Sequence, residues 1–340
     1  MPIKINDHLS AICQLQEEGI FTMTEQRATT QRIRPLKVCV LNLMPLKKPT
    51  EIQLLRLLGN SPLQIEVDFC RTVSRETTHT DNSYLDRAYL EFEDVKDRYY
   101  DAFLMTGAPV ETIPFEAVDY WKEIEAYLDW AEYHCYSTMT LCWGAQAALY
   151  HYYGVNKTIL PAKMFGIFPY GLTVKNHPLL RGFDDRYFIP QSRHTAVDDD
   201  AIDACKALQV LSRSVENGIN ICATKDLRRI FVLGHFEYDR YTLANEYFRD
   251  KKKNLPIDLP EFYFPDGDTT QEPVFKWRSY AHLFYMNWLN IVYQDTPYDL
   301  HELAAVTSWI RLWANITKFF CSCSAWVPQF LLTNNIMINC

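Results

Sequence analysis

Met139-Thr140-Leu141-Cys142-Trp143-Gly144-Ala145-Gln146 turns from strand to helix at a single cysteine. Before it, Tyr136 to Cys142 reads as a short strand; after it, Trp143 to Tyr153 reads as a helix. This is the pattern of a strand–nucleophile–helix elbow, whose sharp turn exposes the nucleophile at the carboxyl end of a sheet. Gly144 lets the backbone approach closely. The helix N-terminus favours negative charge on the sulfur and leaves amide N–H groups able to bind an oxyanion. The competing reading is a core cysteine at a strand end. The flanking strand, glycine and helix weigh against it.

Outward from the elbow, Lys37 to Leu43 is an apolar strand stopped by Met44-Pro45. Thr50 to Asn60 reads as a helix with Thr50 as N-cap, Ile52, Leu55 and Leu58 on one face, and Gly59-Asn60 as its stop. Leu63 to Thr72 alternates as a second strand, and a polar loop with a short helix fills residues 75–98. Tyr100 to Pro109 is a buried strand ending in a glycine turn, and Phe115 to Tyr133 has helical periodicity. Further strands are expected over Arg186 to Ser192, Leu208 to Ser214, Ile219 to Lys225 and Arg228 to Asp239, with helices over Tyr241 to Lys252 and Val274 to Tyr293. Strands alternating with helices imply βαβ units, hence an α/β fold with a mostly parallel sheet and helices on both faces. Residues 1–300 are expected to form this one domain, with residues 1–35 a polar, partly helical leader packed on it.

A second constellation follows the apolar run Arg228 to Leu233. In Leu233-Gly234-His235-Phe236-Glu237, His235 and Glu237 are two residues apart, so an extended backbone points both to one side. A carboxylate beside an imidazole fixes its tautomer and stabilises its charged form. With Cys142 upstream, the chain order is nucleophile, base, acid. Cys39 and Cys222 lie inside strands, Cys70 is followed by Arg71-Thr72 rather than glycine and a helix, and Cys205 sits on a polar helical stretch; all four read as structural. His134, His151 and His194 have no carboxylate at useful spacing.

Composition narrows the function. The 340 residues carry a net charge of −8, which argues against a general nucleic-acid or anionic-membrane surface. The N-terminus lacks a basic segment followed by an apolar one, so a cytoplasmic protein with reduced thiols is expected. Among ten cysteines the only close pair is Cys321 and Cys323, which is no zinc signature, and no metal is expected. With 11 glycines and no phosphate-cradling motif, a nucleotide cofactor is not expected either.

LNLMP (Leu41 to Pro45), LLRLLGNSPLQ (Leu54 to Gln64), TGAPVE (Thr106 to Glu111), TLCWGAQAAL (Thr140 to Leu149), PQSRHT (Pro190 to Thr195) and GHFEYD (Gly234 to Asp239) together resemble the homoserine O-acyltransferases of the methionine pathway. The motifs are colinear and run to about residue 300. The resemblance implies a class I glutamine-amidotransferase-like (flavodoxin-like) fold and acyl transfer from an acyl-CoA co-substrate to the hydroxyl of L-homoserine. It implies Cys142 as the nucleophile that carries an acyl-thioester, His235 as general base and Glu237 as its orienting acid. Lys47 matches the lysine near the oxyanion, although P-L-K-K-P leaves Lys48 as its neighbour and rival, and the Trp143 amide is the second oxyanion donor. Lys163 and Ser192 match substrate-binding positions, and Glu246 with Arg249 matches the homoserine-binding pair. Apart from the resemblance, Lys47, Lys163 and Arg249 read as surface charges. A homodimer is the family's usual assembly, with no interface identifiable in the sequence.

The resemblance also bears on the donor. Members with Gly at the position of Glu111 use succinyl groups and members with Glu use acetyl, because a carboxylate repels and displaces a second carboxylate. Glu111 therefore implies acetyl-CoA, with succinyl-CoA as the alternative. Two rival readings are a glutaminase or amidase of the same fold and a non-catalytic module that has kept the scaffold. Residues 301–340 stand apart: their charged residues are Glu302, Arg311 and Lys318, while Trp309, Trp313 and Trp326 crowd into the same stretch. Arg311, Asn315 and Lys318 interrupt the apolar run well short of the ~20 residues of a membrane span. This atypical extension suits a shifted reading frame or an added amphipathic helix, and truncation after Leu300 is expected to leave activity intact.

Overall fold

The computed structural model describes residues 3–5, 14, 22–23, 34–74 and 81–303. Among the described residues eleven strands form one sheet: β1 (Ile3–Ile5), β2 (Thr22–Met23), β3 (Leu36–Leu41), β4 (Ile65–Cys70), β5 (Tyr100–Met105), β6 (Cys135–Leu141), β7 (Lys157–Leu172), β8 (Arg186–Val197), β9 (Leu208–Ser214), β10 (Gly218–Thr224) and β11 (Arg229–Val232). Their order is β2-β1-β4-β3-β5-β6-β11-β10-β9-β7-β8. Every pairing from β2 to β11 is parallel. From β11 onward the pairings are antiparallel. The fold is α/β and the sheet mostly parallel, as expected, with an antiparallel wing; among the described residues its helices are α1 (Lys47–Gly59), α2 (Asn82–Ala88), α3 (Phe92–Val95), α4 (Trp121–His134), α5 (Trp143–Tyr153), α6 (Asp199–Ala204), α7 (Thr242–Lys252) and α8 (Arg278–Asp295).

Strand alternation feeds two cores. Val38, Val40, Ala102 and Leu104 point to one face of the sheet, where they meet α1 (Lys47–Gly59) and α8 (Arg278–Asp295) through Leu54, Leu55, Phe284 and Trp288. Cys39, Leu41, Phe103 and Met105 point to the other face, against α4 (Trp121–His134) and α5 (Trp143–Tyr153). β5 is buried along its whole length, as expected of a central parallel strand covered on both faces. A third cluster, built around Tyr238, Leu243, Tyr247, Tyr263 and Trp277, packs α7 (Thr242–Lys252) under the antiparallel wing.

Several boundaries differ from expectation. Helix α1 begins at Lys47, three residues before Thr50; the Thr50 hydroxyl donates back to Leu46 O at 3.2 Å and caps nothing. The first turn predicted from Phe115 is a separate 3₁₀ turn, Phe115–Ala117, and α4 starts at Trp121. Helix α8 starts at Arg278, four residues after Val274. The described parts of the leader include the two short strands β1 and β2, which extend the parallel edge. At the other end Leu303 is buried and the His301 ring lies 4.7 Å from that of Tyr99, so packing continues three residues past the expected boundary at 300. Residues 304–340, with the rest of the extension, lie outside the described residues.

Candidate active site

The central strands β3, β5, β6 and β11 run parallel, so their carboxyl ends lie together at one end of the sheet, where open α/β folds place their ligands. At the end of β6, Cys142 has φ 49° and ψ −117°, a conformation costly for a side-chain-bearing residue, about 1–3 kcal/mol. Its surroundings hold it there. The Cys142 amide donates to Val232 O at 2.7 Å, and Gly144 packs so tightly that a Cβ would lie 2.6 Å from Thr106 O. Gln146 ties the new helix to β8: Thr195 Oγ1 donates to Gln146 Oε1 at 2.9 Å. The elbow is therefore present: α5 has the bounds read from the sequence, while β6 begins and ends one residue earlier than expected and leaves Cys142 as the residue between them.

β11 ends at Val232, and His235 to Glu237 lie in a turn rather than on an extended strand. The turn brings the two side chains together: His235 Nδ1 and Glu237 Oε1 are 2.6 Å apart, both nearly buried. The two side chains meet as expected, through a turn and not through strand alternation. Two partners fix the turn: the His235 amide donates to Pro190 O of β8 at 3.0 Å, and Trp277 Nε1 donates to Tyr238 O at 2.9 Å. The Tyr238 ring stacks on the imidazole with centroids 4.0 Å apart. Burial opposes a charge on His235. Electrostatic attraction to Cys142 and Glu237, and hydrogen bonds to both, outweigh it and raise the imidazole pKa well above its ordinary value. A cysteine, a proton-retentive histidine and an orienting carboxylate can run nucleophilic acyl transfer.

Cys142, His235 and Glu237 line a cavity of about 1150 Å³ together with Glu111, Lys163, Ser192, Glu246 and Arg249. Glu246, on α7, is a hub: Lys163 Nζ lies 2.5 Å from Oε1, and Ser192 Oγ donates to Oε2 at 2.9 Å. Arg249, half exposed, reaches Glu246 at 3.9 Å and pairs more closely with Asp250, Nε to Oδ1 at 2.6 Å. Lys163 and Arg249, which read as surface charges on their own, thus share the cavity with Glu246 and Cys142. Glu111 is half-buried. Burial raises its carboxyl pKa, while the His194 amide and the charges of His194, Lys163 and His235 pull it back.

Lys47 and Lys48 are separated by burial: Lys47 is 4% exposed and Lys48 is exposed. Lys47 Nζ donates to Asn42 O at 2.6 Å behind the wall formed by Met44, Pro45 and Leu46. It stands beside Glu51, which accepts from the Tyr89 hydroxyl at 2.7 Å. The Trp143 amide is among the first N–H groups of α5, which a helix leaves without an intrahelical acceptor.

Some participants were not legible in the sequence. A Cβ on Gly107 would lie 3.2 Å from Cys142 Cβ and 3.6 Å from Trp143 N, so this glycine keeps the space beside the sulfur open. His194 and Tyr238 line the cavity as well. His151, read as lacking a carboxylate, pairs with Asp129 at 2.8 Å, because α4 and α5 lie side by side. Among the described residues no cluster of His, Cys, Asp and Glu could hold a metal ion, and no helix is long and apolar enough to cross a membrane. Cys39, Cys70, Cys135 and Cys222 are buried free thiols.

Comparison with known proteins places this geometry. The chain is 49% identical over 300 residues to the homoserine O-acetyltransferase of Agathobacter rectalis, covering 88% of this chain and 97% of that protein. It is 50% identical over 304 residues to the homoserine O-acetyltransferase of Thermotoga neapolitana, covering 89% of this chain and all of that protein. A glutamine amidotransferase from Thermotoga maritima aligns with a TM-score of 0.50 and 12% identity over 77% of this chain and 98% of that one, a likeness of fold alone. The family model described as homoserine O-succinyltransferase matches residues 2–298, so the chain belongs to the homoserine O-succinyltransferase family.

Proposed function

We propose that the protein transfers an acetyl group from acetyl-CoA to the hydroxyl of L-homoserine, forming O-acetyl-L-homoserine in methionine biosynthesis. The observation that carries the reading is the Cys142–His235–Glu237 array opening onto the same cavity as Glu111, Lys163 and Glu246. Cys142 Sγ attacks the thioester carbonyl. The oxyanion accepts from the Trp143 amide, and Lys47 is the second donor by the resemblance, which requires its Nζ to turn from Asn42 O toward Cys142. The tetrahedral intermediate collapses, the C–S bond to CoA breaks, and His235 gives the departing thiolate its proton. His235 then takes the proton of the homoserine hydroxyl as that oxygen attacks the acetyl-cysteine, and Cys142 leaves as the thiolate.

The homoserine α-carboxylate suits the Arg249 guanidinium, which must exchange part of its pairing with Asp250, and the α-ammonium suits Glu246. Lys163 and Ser192 hold the Glu246 carboxylate in place. Glu111 faces the acyl group and disfavours a succinyl carboxylate. No resident cofactor is needed. The reading carries with it a cytoplasmic enzyme that works as a homodimer, with the catalytic unit in the first 300 residues or so and the extension outside it. Thiol release from acetyl-CoA and from succinyl-CoA, each with homoserine, tests it. Faster release from acetyl-CoA supports the reading. Faster release from succinyl-CoA overturns the donor, and glutamine hydrolysis without thiol release overturns the reaction.

A further inference from the structure

The three cations that sequence offered to an anionic substrate are already engaged: Lys47 with Asn42, Lys163 with Glu246, and Arg249 with Asp250. The phosphates of CoA need others. The cavity exceeds the ~300–1,000 Å³ usual for a drug-sized ligand, so acetyl and homoserine leave much of it unfilled.

Its far wall is formed where α1 packs on α8, and Arg56, Arg278 and His282 line it. Arg56 pairs with Asp239 across the cavity mouth. Arg278 opens α8, whose first turn carries no acidic residue. Its guanidinium lies 4.5 Å from the Phe275 ring centroid, and no carboxylate among the described residues pairs with it. Burial, then the positive charges of Arg278 and Arg56, hold the His282 imidazole below its ordinary pKa. His282 Nδ1 is buried without a hydrogen-bond partner. A buried N–H without an acceptor is rarer than a bare acceptor, so the ring proton belongs on Nε2, leaving a neutral donor. Arg56, Arg278 and the neutral His282 thus give this wall several N–H donors and an excess of positive charge, the chemistry a phosphate accepts.

We propose that this wall is a phosphate subsite that takes the 3′-phosphoadenosine diphosphate part of the acyl-CoA donor, Arg278 being its principal cation. The proposal rests on the acyl-CoA reading above and adds to it where the donor's charged end lies.

Calorimetry with adenosine 3′,5′-bisphosphate reads the subsite without turnover, and kinetics with two donors places it in the reaction. In Arg278→Gln the bisphosphate should bind about tenfold more weakly or worse, the loss expected of one charge-assisted hydrogen bond. kcat/KM for acetyl-CoA should fall by about the same factor. The value for S-acetyl-N-acetylcysteamine, a thioester without phosphates, should hold, as should KM for homoserine. Undiminished bisphosphate binding in Arg278→Gln overturns the proposal, as does an equal loss with both donors. Bisphosphate binding that depends on Arg278 in a protein that turns over neither donor would keep the subsite and overturn the acyltransferase reading instead.

Discussion

Replacing Glu237 by Gln tests the coupling on which the chemistry depends. The side chain keeps its shape, and Oε1 can still accept from His235 Nδ1 across the present 2.6 Å contact. What it loses is charge. With charge centres ~4 Å apart and an effective dielectric of ~20, the attraction between carboxylate and imidazolium is about 4 kcal/mol. The neutral hydrogen bond that remains returns about 1 kcal/mol. The net loss of about 3 kcal/mol corresponds to a fall of about 150-fold in kcat/KM for acetyl-CoA. Glu237 Oε2 is buried with no hydrogen-bond partner among the described residues, so the new amide N–H₂ has nowhere to donate there. That adds about 1–3 kcal/mol of destabilisation, which a thermal melt separates from the kinetic effect. The assay is thiol release at saturating homoserine, on protein shown folded by its melt. A folded Glu237→Gln enzyme within about threefold of the parent would refute the reasoning, because it would mean that His235 does not need the negative charge.

Glu111→Gly removes the carboxylate that opposes a second one in the donor. Repulsion at ~5 Å is about 3 kcal/mol before the offset from Lys163, so the succinyl-to-acetyl preference should rise about tenfold or more; competition between the two thioesters measures it, and an unchanged ratio removes Glu111 from donor choice. Gly107→Ala places a methyl 3.2 Å from Cys142 Cβ and should lower kcat about tenfold with little change in Tm, and full activity would show that the space beside the sulfur is not used. The pKa of His235 is raised in the folded state, so its stabilising contribution is complete below the ordinary histidine value and lost as pH rises through the raised one. The Tm gap between the parent and His235→Gln should therefore narrow as pH rises above the ordinary histidine range, and a widening gap contradicts the assignment.

The elbow was legible in full because its residues are contiguous: the strand, the cysteine and the helix from Trp143 to Tyr153 lie where local periodicity puts them. β9 and β10 were legible for the same reason. β7 was not. Pro161, Gly166, Pro169 and Gly171 break its pattern, and the strand tolerates them through a register shift between Ile159 and Met164 and a close approach of Gly166 to Glu261. The His235–Glu237 contact was foreseen on an extended backbone and is made by a turn, because anchors from β8 and Trp277 are invisible to local sequence. Glu246, Lys163 and Ser192 meet from α7, β7 and β8, and only the resemblance to a family had drawn them together. Arg56 and Arg278 are brought to one wall by the packing of α1 on α8, a contact that no spacing in the chain encodes.

The central claim is that Cys142 carries the acetyl group between donor and acceptor. Incubation with acetyl-CoA in the absence of homoserine, followed by mass spectrometry of the peptide containing Cys142, tests it most directly. The account predicts an acetylated Cys142, a burst of free CoA matching the enzyme present, and loss of the adduct when homoserine is added. An unmodified Cys142, with CoA released only once homoserine is present, would contradict it.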